Sequence, residues 1–563
     1  MAALGTSSAQ ENAAARARRR VLTRRRLERR LMLVAGSMGL VFLVLAGRLV
    51  DVMVFNGQRP GDTAVHGLPQ DRGRADILDR EGQILATDLA SSSLYADARK
   101  ISDPDGTARE LASVFELDET RLAEDLASRR AFVWIKRHLT PQERFEVYRL
   151  ALPGLYFRDD HQRFYPAGRL AAHVLGFTDV DGNGIAGLER TLDETLRQAG
   201  RDGEPVQLSI DLRVQHSLTE ELAAAMERFD AIGASGIILS ARTGEILAMA
   251  SLPDFDVNQP GRAPADARFN RVTMGVYEQG STFKAFTIAA ALDAGTVTLD
   301  SRLDASHPLR VGRFTISDYR GKNRVLSLPE VFIYSSNIGV AQIARELGGE
   351  RLSAYFDRLG LTRPLGVELP EVGEPILPAR WSDIATMTAG YGHGIAVSPL
   401  HVARAAAAVV NGGHTVHPTL LRREAGALEA DSVISTRTSE IMRALLRLNV
   451  EEGSGKKADT PAFPVGGKTG TAEKATAGGY DHQALMSSFL GVFPAYDPEY
   501  VILVALDEPK GTKETHGFAT AGWTAAPVVG SIVNRIGPIL AFAPSEPGET
   551  EGRHNLMLSS YTQ

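Results

Sequence analysis

Cysteine is absent from the 563 residues, which excludes disulfides and thiolate metal sites. That absence leaves the compartment open, since a protein beyond a membrane can do without disulfides. Charge is missing from one long stretch, residues 31–47. The rest is ordinary for a globular protein, with 44% hydrophobic and 23% charged residues, and the length allows two or more domains around a large core. The net charge of −6 conceals a strongly basic N-terminus.

Residues 16–30 read RARRRVLTRRRLERR, and the uncharged stretch follows at once. Arg48 and Asp51 interrupt it before Val52, Met53, Val54 and Phe55 resume it. With Arg48 snorkelling, residues 31–55 reach the ~20 residues a helix needs to cross a bilayer. Val44-Leu45-Ala46 loosely resembles a signal-peptide cleavage site, but the apolar run continues past it, so a retained anchor in the lipid bilayer is expected. An arginine-rich arm for nucleic acid would not lead straight into a membrane-length apolar run, and no nucleic-acid partner is expected. By the positive-inside rule residues 1–30 form a cytoplasmic tail, its first 15 residues disordered in composition, and everything after Phe55 lies across the membrane.

Gly280-Ser281-Thr282-Phe283-Lys284 runs from a glycine turn into a helix-forming series that ends at Gly295. Residues three apart share a helix face, so the Lys284 amine can reach the Ser281 hydroxyl. Ser281 falls at the helix start, where free backbone N–H groups and the positive dipole end favour developing negative charge. Serine is a poor nucleophile until a base takes its proton, and lysine is such a base only where its surroundings lower its pKa. An isolated Ser-x-x-Lys is more often a capping serine with a solvated lysine. Ser454-Gly455-Lys456-Lys457 repeats the spacing, yet Gly453 and Gly455 mark a loop and no apolar helix follows. Two companions set Ser281 apart downstream: Ser335-Ser336-Asn337 and Lys468-Thr469-Gly470-Thr471.

This ordered set resembles the serine penicillin-recognising enzymes, and residues 31–540 resemble the class B penicillin-binding proteins. Ser336 stands where the motif often has aspartate, a variant those proteins accept. The resemblance implies an α+β fold. A penicillin-binding, serine β-lactamase-like transpeptidase domain with antiparallel sheet and helices spans residues 204–541. A mixed, non-catalytic pedestal of dimerisation type spans residues 56–203, behind the one transmembrane helix. It further implies that Ser281 attacks the penultimate D-alanine carbonyl of a stem peptide, forming an acyl-enzyme, and that Lys284 accepts its proton. Ser335 then relays a proton to the leaving D-alanine, and Asn337 holds the peptide amide and braces Lys284. Lys468 and the hydroxyls of Thr469 and Thr471 receive a substrate carboxylate, and β-lactams imitate that substrate. Gly470 leaves room for the substrate along its strand, and the backbone N–H groups of Ser281 and Thr471 form an oxyanion hole. No cofactor and no metal is implied.

Local signals place further elements. Residues 74–86 read as two short strands about a turn at Glu81-Gly82, with Asp76 and Asp79 as turn-flanking charges paired to Arg74 and Arg80. Residues 108–127 are expected to be helical. Residues 179–184 look like the start of a calcium loop but lack its twelfth-position glutamate, and are read as a turn. Residues 206–211 are the opening strand of the catalytic domain, with a helix after it. Residues 236–241 and 245–250 form a hairpin, residues 485–492 and 500–506 are further strands, and a helix over 525–540 packs on the same sheet. Residues 542–563 form a loose tail.

Residues 389–400, with Gly390-Tyr391-Gly392, resemble the division-specific class B proteins, where elongation-specific relatives usually show Gly-Gln-Gly. Tyr391 and His393 receive no catalytic part. The resemblance therefore implies septal peptidoglycan cross-linking at the inner membrane, with the catalytic domain periplasmic. Its implied partners are stem peptides, β-lactams, a membrane-embedded division glycan polymerase and other divisome proteins. The rivals are an elongation-type transpeptidase, a β-lactamase, and a penicillin-binding sensor or scaffold without turnover. A β-lactamase would need a Glu-x-x-x-Asn signature between Asn337 and Lys468, sensors sit behind several spans, and a scaffold could lose Ser281 or Lys284. Glycosyltransferase motifs are not found, so glycan polymerisation is not expected.

Overall fold

Ile237, Ile238 and Leu239 are all fully buried. Successive strand residues point to opposite faces, so the sheet that holds them is covered on both sides. In the computed structural model Ile237 and Leu239 join one core cluster and Ile238 another. Ile502, Leu503 and Val504 alternate in the same way on the neighbouring strand. The structure describes residues 73–423, 430–476 and 479–545, with six scattered residues between 32 and 43. The basic tail, nearly all of the 31–55 span and residues 546–563 lie outside the described residues. Among those described, no helix is long and apolar enough to cross a membrane.

The central sheet has five antiparallel strands in the order Gly466–Thr476, Gly479–Phe493, Tyr500–Asp507, Gly233–Ser240, Ile246–Leu252. The hairpin expected over residues 236–250 and both later strands are present. Helices Leu212–Arg228 and Ala525–Ile539 cover one face through Val214, Leu218, Leu222, Val529 and Ile532. Helices Phe283–Asp293, Pro399–Val410 and Thr436–Glu451 belong to the cluster on the other face. Strand Gly466–Thr476 ends the sheet on one side, with no further strand paired to it among the described residues, and such an edge is where an extended peptide can add.

The first, smaller sheet contains Ile77–Leu78, Ile84–Ala96, Val133–Leu139 and Leu155–Phe164. The turn after Leu78 is where the sequence puts it: Asp79 Oδ1 accepts from Glu81 N and Gln83 N, each at 2.8 Å, and Gly82 takes φ +84°. Two corrections apply. Val206–Gln207 does not open the catalytic sheet; it pairs in parallel with Ile77–Leu78 and completes the first sheet. Its two residues are too few to reveal their partner by periodicity. Arg74 pairs not with Asp76 or Asp79 but with Glu189 at 2.7 Å and with Asp193, and Arg163 also holds Glu189 at 2.7 Å. Glu189 is fully buried, and removing one partner of such a set strands the remaining charge, at a cost of about 3–5 kcal/mol.

Residues 108–127 form parts of two helices, Pro104–Val114 and Glu119–Ala127, each capped by an aspartate side chain, Asp103 and Asp118. Asp179 folds its own turn, accepting from Asp181 N and Asn183 N.

Candidate active site

Residues 283–291 are buried at nine consecutive positions, so this helix meets protein on every side rather than along one stripe. Ser281 sits in the 3-10 turn Gly280–Thr282 that leads into it, partly open to solvent. Lys284 is on the first helical turn and has no exposed surface. Burial pushes its pKa down from 10.5 to about 7, against the opposing pull of the Asp318 carboxylate. A lysine in these surroundings is substantially neutral near neutral pH and able to take a proton.

The expected contact between Lys284 and Ser281 is not a hydrogen bond here. The Lys284 amine points to the second motif instead. Its Nζ lies 2.5 Å from the Ser335 carbonyl oxygen, 3.1 Å from Ser335 Oγ and 2.7 Å from Asn337 Oδ1. The reason is the backbone at Ser335. It joins helix Leu328–Ile333 to helix Asn337–Leu347 with φ +56°, a left-handed turn that costs a non-glycine residue free energy. That turn presents both oxygens of Ser335 to the lysines.

Lys468, on the free edge strand, reaches the same hydroxyl: its Nζ is 2.9 Å from Ser335 Oγ. It too is fully buried, and burial together with the nearby Lys284 holds its pKa well below 10.5. Ser335 Oγ therefore lies between two amines that repel each other when both are charged, and its single O–H can donate only to one that is neutral. The three motifs, spread over more than 180 residues of chain, thus meet on one hydroxyl.

Asn337 is fixed from both ends. Its Oδ1 accepts from Lys284 and its Nδ2 donates to the Ser317 carbonyl at 3.0 Å, which leaves one N–H for another partner. Ser336 caps the following helix, accepting from Gly339 N at 3.0 Å while its hydroxyl donates to Asp318 at 2.8 Å. Asp318 also accepts from Ile338 N at 2.9 Å. It carries the one charge that raises the Lys284 pKa, and no sequence signal marks it, since Ser317-Asp318-Tyr319 matches no motif.

Gly470 is explained by packing closer than the substrate. A Cβ there would lie 2.5 Å from the Gln279 carbonyl oxygen and 2.7 Å from Thr282 Cγ2. The edge strand therefore touches the backbone of the Ser281 turn, and any side chain would force the two apart. Thr471 Oγ1 accepts from Ala521 N at 3.1 Å, which ties the strand to the loop before the last helix.

Ser454 also reaches the site, although its glycine-flanked motif reads as a loop. It is in a loop, but Ser454 Oγ is 2.7 Å from Thr469 Oγ1. The buried Asn449 side chain accepts from Ser454 N and donates to the Gly467 carbonyl, so it binds this loop to the edge strand. Its partner lysine, Lys457, turns outward over the Trp523 ring.

Across the cleft, Tyr391 and His393 pack rather than react. The His393 ring stacks on Tyr480 at 4.4 Å, and its Nδ1 lies 3.0 Å from Glu278 Oε2. Tyr480 donates to Glu278 Oε1 at 2.9 Å.

Two family models match the chain. One is the penicillin binding protein transpeptidase domain, over residues 234–532, and the other the penicillin-binding protein dimerisation domain, over residues 69–207. The chain is similar to the probable peptidoglycan D,D-transpeptidase FtsI of Caulobacter vibrioides, 43% identical over 91% of this chain and 88% of the relative. It is similar to the peptidoglycan D,D-transpeptidase FtsI of Escherichia coli K12, 28% identical over 90% of this chain and 91% of the relative. Among solved structures it shares its fold with penicillin binding protein 3 of Mycobacterium tuberculosis in complex with aztreonam. There the TM-score is 0.66 at 24% identity, over 84% of this chain and 98% of the other.

Proposed function

Because the chain belongs to the class B penicillin-binding proteins of the cell-division type, we propose that it is a serine D,D-transpeptidase that cross-links septal peptidoglycan. The observation that carries the mechanism is the pair of buried amines on Ser335 Oγ, one of them with its pKa lowered to about 7.

In the proposed reaction Ser281 Oγ attacks the carbonyl of the penultimate D-alanine in a donor stem peptide, and its proton passes to neutral Lys284, either directly or through Ser335. Backbone N–H groups of Ser281 and Thr471 stabilise the oxyanion. The C–N bond breaks as the Ser335 hydroxyl gives its proton to the departing D-alanine amine and is reprotonated from the lysines. An acceptor amine then attacks the acyl-enzyme, a new amide forms, and Ser281 regains its proton. Asn337 positions the donor amide with its remaining N–H, and Thr469 and Thr471 receive the terminal carboxylate. Residues 204–541 do this work, residues 56–203 hold it away from the bilayer, and residues 31–55 anchor it. We place the protein in the inner membrane at the septum, beside a membrane-embedded glycan polymerase and other divisome proteins.

The test is turnover. Full-length protein in detergent, given uncross-linked pentapeptide-bearing glycan, is expected to release D-alanine and form cross-linked product, both abolished by penicillin. Stable acylation by penicillin without cross-linking would favour a sensor or scaffold, and rapid hydrolysis of penicillin would favour a β-lactamase.

A further inference from the structure

The carboxylate pocket contains a contradiction in charge. Lys468 is the cation that the sequence assigns to a substrate carboxylate, yet it is fully buried, its amine shares Ser335 Oγ with Lys284, and burial and repulsion both disfavour its charged form. An amine buried from solvent, with its charged form disfavoured, is a weak attractor for an anion arriving from water. The missing charge lies on three exposed side chains around the same end of the cleft.

Arg320, Lys322 and Lys457 are exposed and come from two separate segments, and each lies two to four residues from a group already placed at the site, Asp318 or Ser454. Arg320 follows Asp318 and rests its guanidinium over the Phe518 ring, 4.8 Å from the centroid. Lys322 rests over Tyr334, the residue before Ser335, at 4.5 Å. Lys457 follows Ser454 and rests over Trp523 at 4.2 Å. Phe518 and Trp523 stack on one another at 5.8 Å, in the loop whose Ala521 N–H binds Thr471. Aromatic faces hold cations in place without neutralising them.

Among the described residues none of the three cations has an acidic partner. Asp318, two residues before Arg320, turns inward to Ser336 and Ile338 N, and Asp459, two residues after Lys457, pairs with Arg447. Arg74, Arg163 and Arg447, by contrast, each hold two carboxylates. Unpaired cations of one sign at the mouth of a cleft concentrate an oppositely charged ligand and raise its association rate by roughly 10–10³-fold, an effect that salt suppresses.

We propose that Arg320, Lys322 and Lys457 form a cationic rim that captures the anionic C-terminus of the stem peptide and delivers it to Thr469 and Thr471. The rim acts on encounter and specificity; it takes no part in bond making. Ser454 links the two stages, because its loop carries Lys457 outward and its hydroxyl meets Thr469 inward. The proposal rests on Ser281 being the acylated serine and on this end of the cleft receiving the carboxylate.

The experiment measures acylation of the full-length protein by fluorescent penicillin, which carries the equivalent carboxylate, from low salt to about 0.5 M, where the screening length falls well below 10 Å. The triple variant R320Q/K322Q/K457Q is compared with the parent and with the charge-keeping variant K322R/K457R. All three side chains are exposed, and a melting curve confirms folding. At low salt the triple variant is expected to acylate roughly 5–20-fold more slowly than the parent, with the loss in apparent binding constant rather than in the limiting rate. The two should converge at high salt, and the charge-keeping variant should follow the parent. A triple variant with the parent's salt dependence, a loss confined to the limiting rate, or a charge-keeping variant as slow as the triple would each overturn the proposal. A parent that does not acylate at all overturns the underlying reading of Ser281 as well.

Discussion

Replacing Lys284 with arginine separates a base from a positive charge. The structure supplies the magnitude. With a pKa of about 7 in a fully buried site, the lysine is about half neutral at pH 7 and about nine-tenths neutral at pH 8. The parent's acylation rate should therefore rise ~10-fold per pH unit below 7 and level off above ~8, since the neutral amine is the reactive form. Arginine keeps the charge and a similar reach, but its guanidinium stays protonated in proteins. Loss of general-base help slows a reaction roughly 10²–10⁴-fold, or about 3–5.5 kcal/mol of barrier. Lys284→Arg should label at that reduced rate with fluorescent penicillin, and its rate should no longer inflect near pH 7. The planar head must also fit among the Ser335 and Asn337 oxygens, so a melting curve accompanies the assay. A folded Lys284→Arg protein that acylates within a few-fold of the parent, with the parent's pH profile, would remove Lys284 from the role of base.

Asp318→Asn removes the carboxylate that raises the Lys284 pKa, so the inflection in the acylation rate should move to lower pH; an unmoved or raised midpoint would contradict this. Gly470→Ala places a Cβ 2.5 Å from the Gln279 carbonyl oxygen and should cost about 1–3 kcal/mol by overpacking. Because the displaced backbone belongs to the Ser281 turn, acylation should fall at least ~10-fold, read by labelling below the variant's melting temperature. Ser336→Ala loses a helix cap and the bond to Asp318. It should lower stability by about 1–2 kcal/mol, seen as a melting temperature lower by a few degrees, whereas an unchanged melting curve would make Ser336 a bystander.

Ser281, Lys284, Ser335, Asn337 and Lys468 were legible in the sequence because each sits in a short motif whose chemistry depends on neighbours a few residues away. The burial of Lys284 was legible too, from the apolar series after it. What periodicity and motifs cannot carry is contact between distant segments. Asp318 acts on Lys284 only because Ser336 and Ile338 draw its loop across the helix start. Ser454 looked like a loop decoy, and it is a loop, but Asn449 carries it to the edge strand. At Gly470 the motif points to the substrate, but the Gln279 carbonyl is a constraint that only the fold reveals. In the fold, short apolar runs bounded by turn residues mark the strands of the catalytic sheet, whereas nothing local marks the sheet of the two-residue strand Val206–Gln207, because its pairing with Ile77–Leu78 spans some 130 residues.

The proposed reaction requires that Ser281, backed by a neutral lysine, be the residue acylated. Two serines of this chain share the Ser-x-x-Lys spacing, and both lie at the cleft, so identity of the motif does not decide between them. Only Ser281 precedes a lysine that is buried beside Ser335 and Asn337; Lys457, the lysine after Ser454, is exposed over Trp523. Labelling the full-length protein with fluorescent penicillin, digesting it and sequencing the labelled peptide tests this directly. The label should be found on the peptide that contains Ser281 and be lost in Ser281→Ala, while Ser454→Ala still labels. A label on Ser454, or on any peptide without Ser281, would contradict the account.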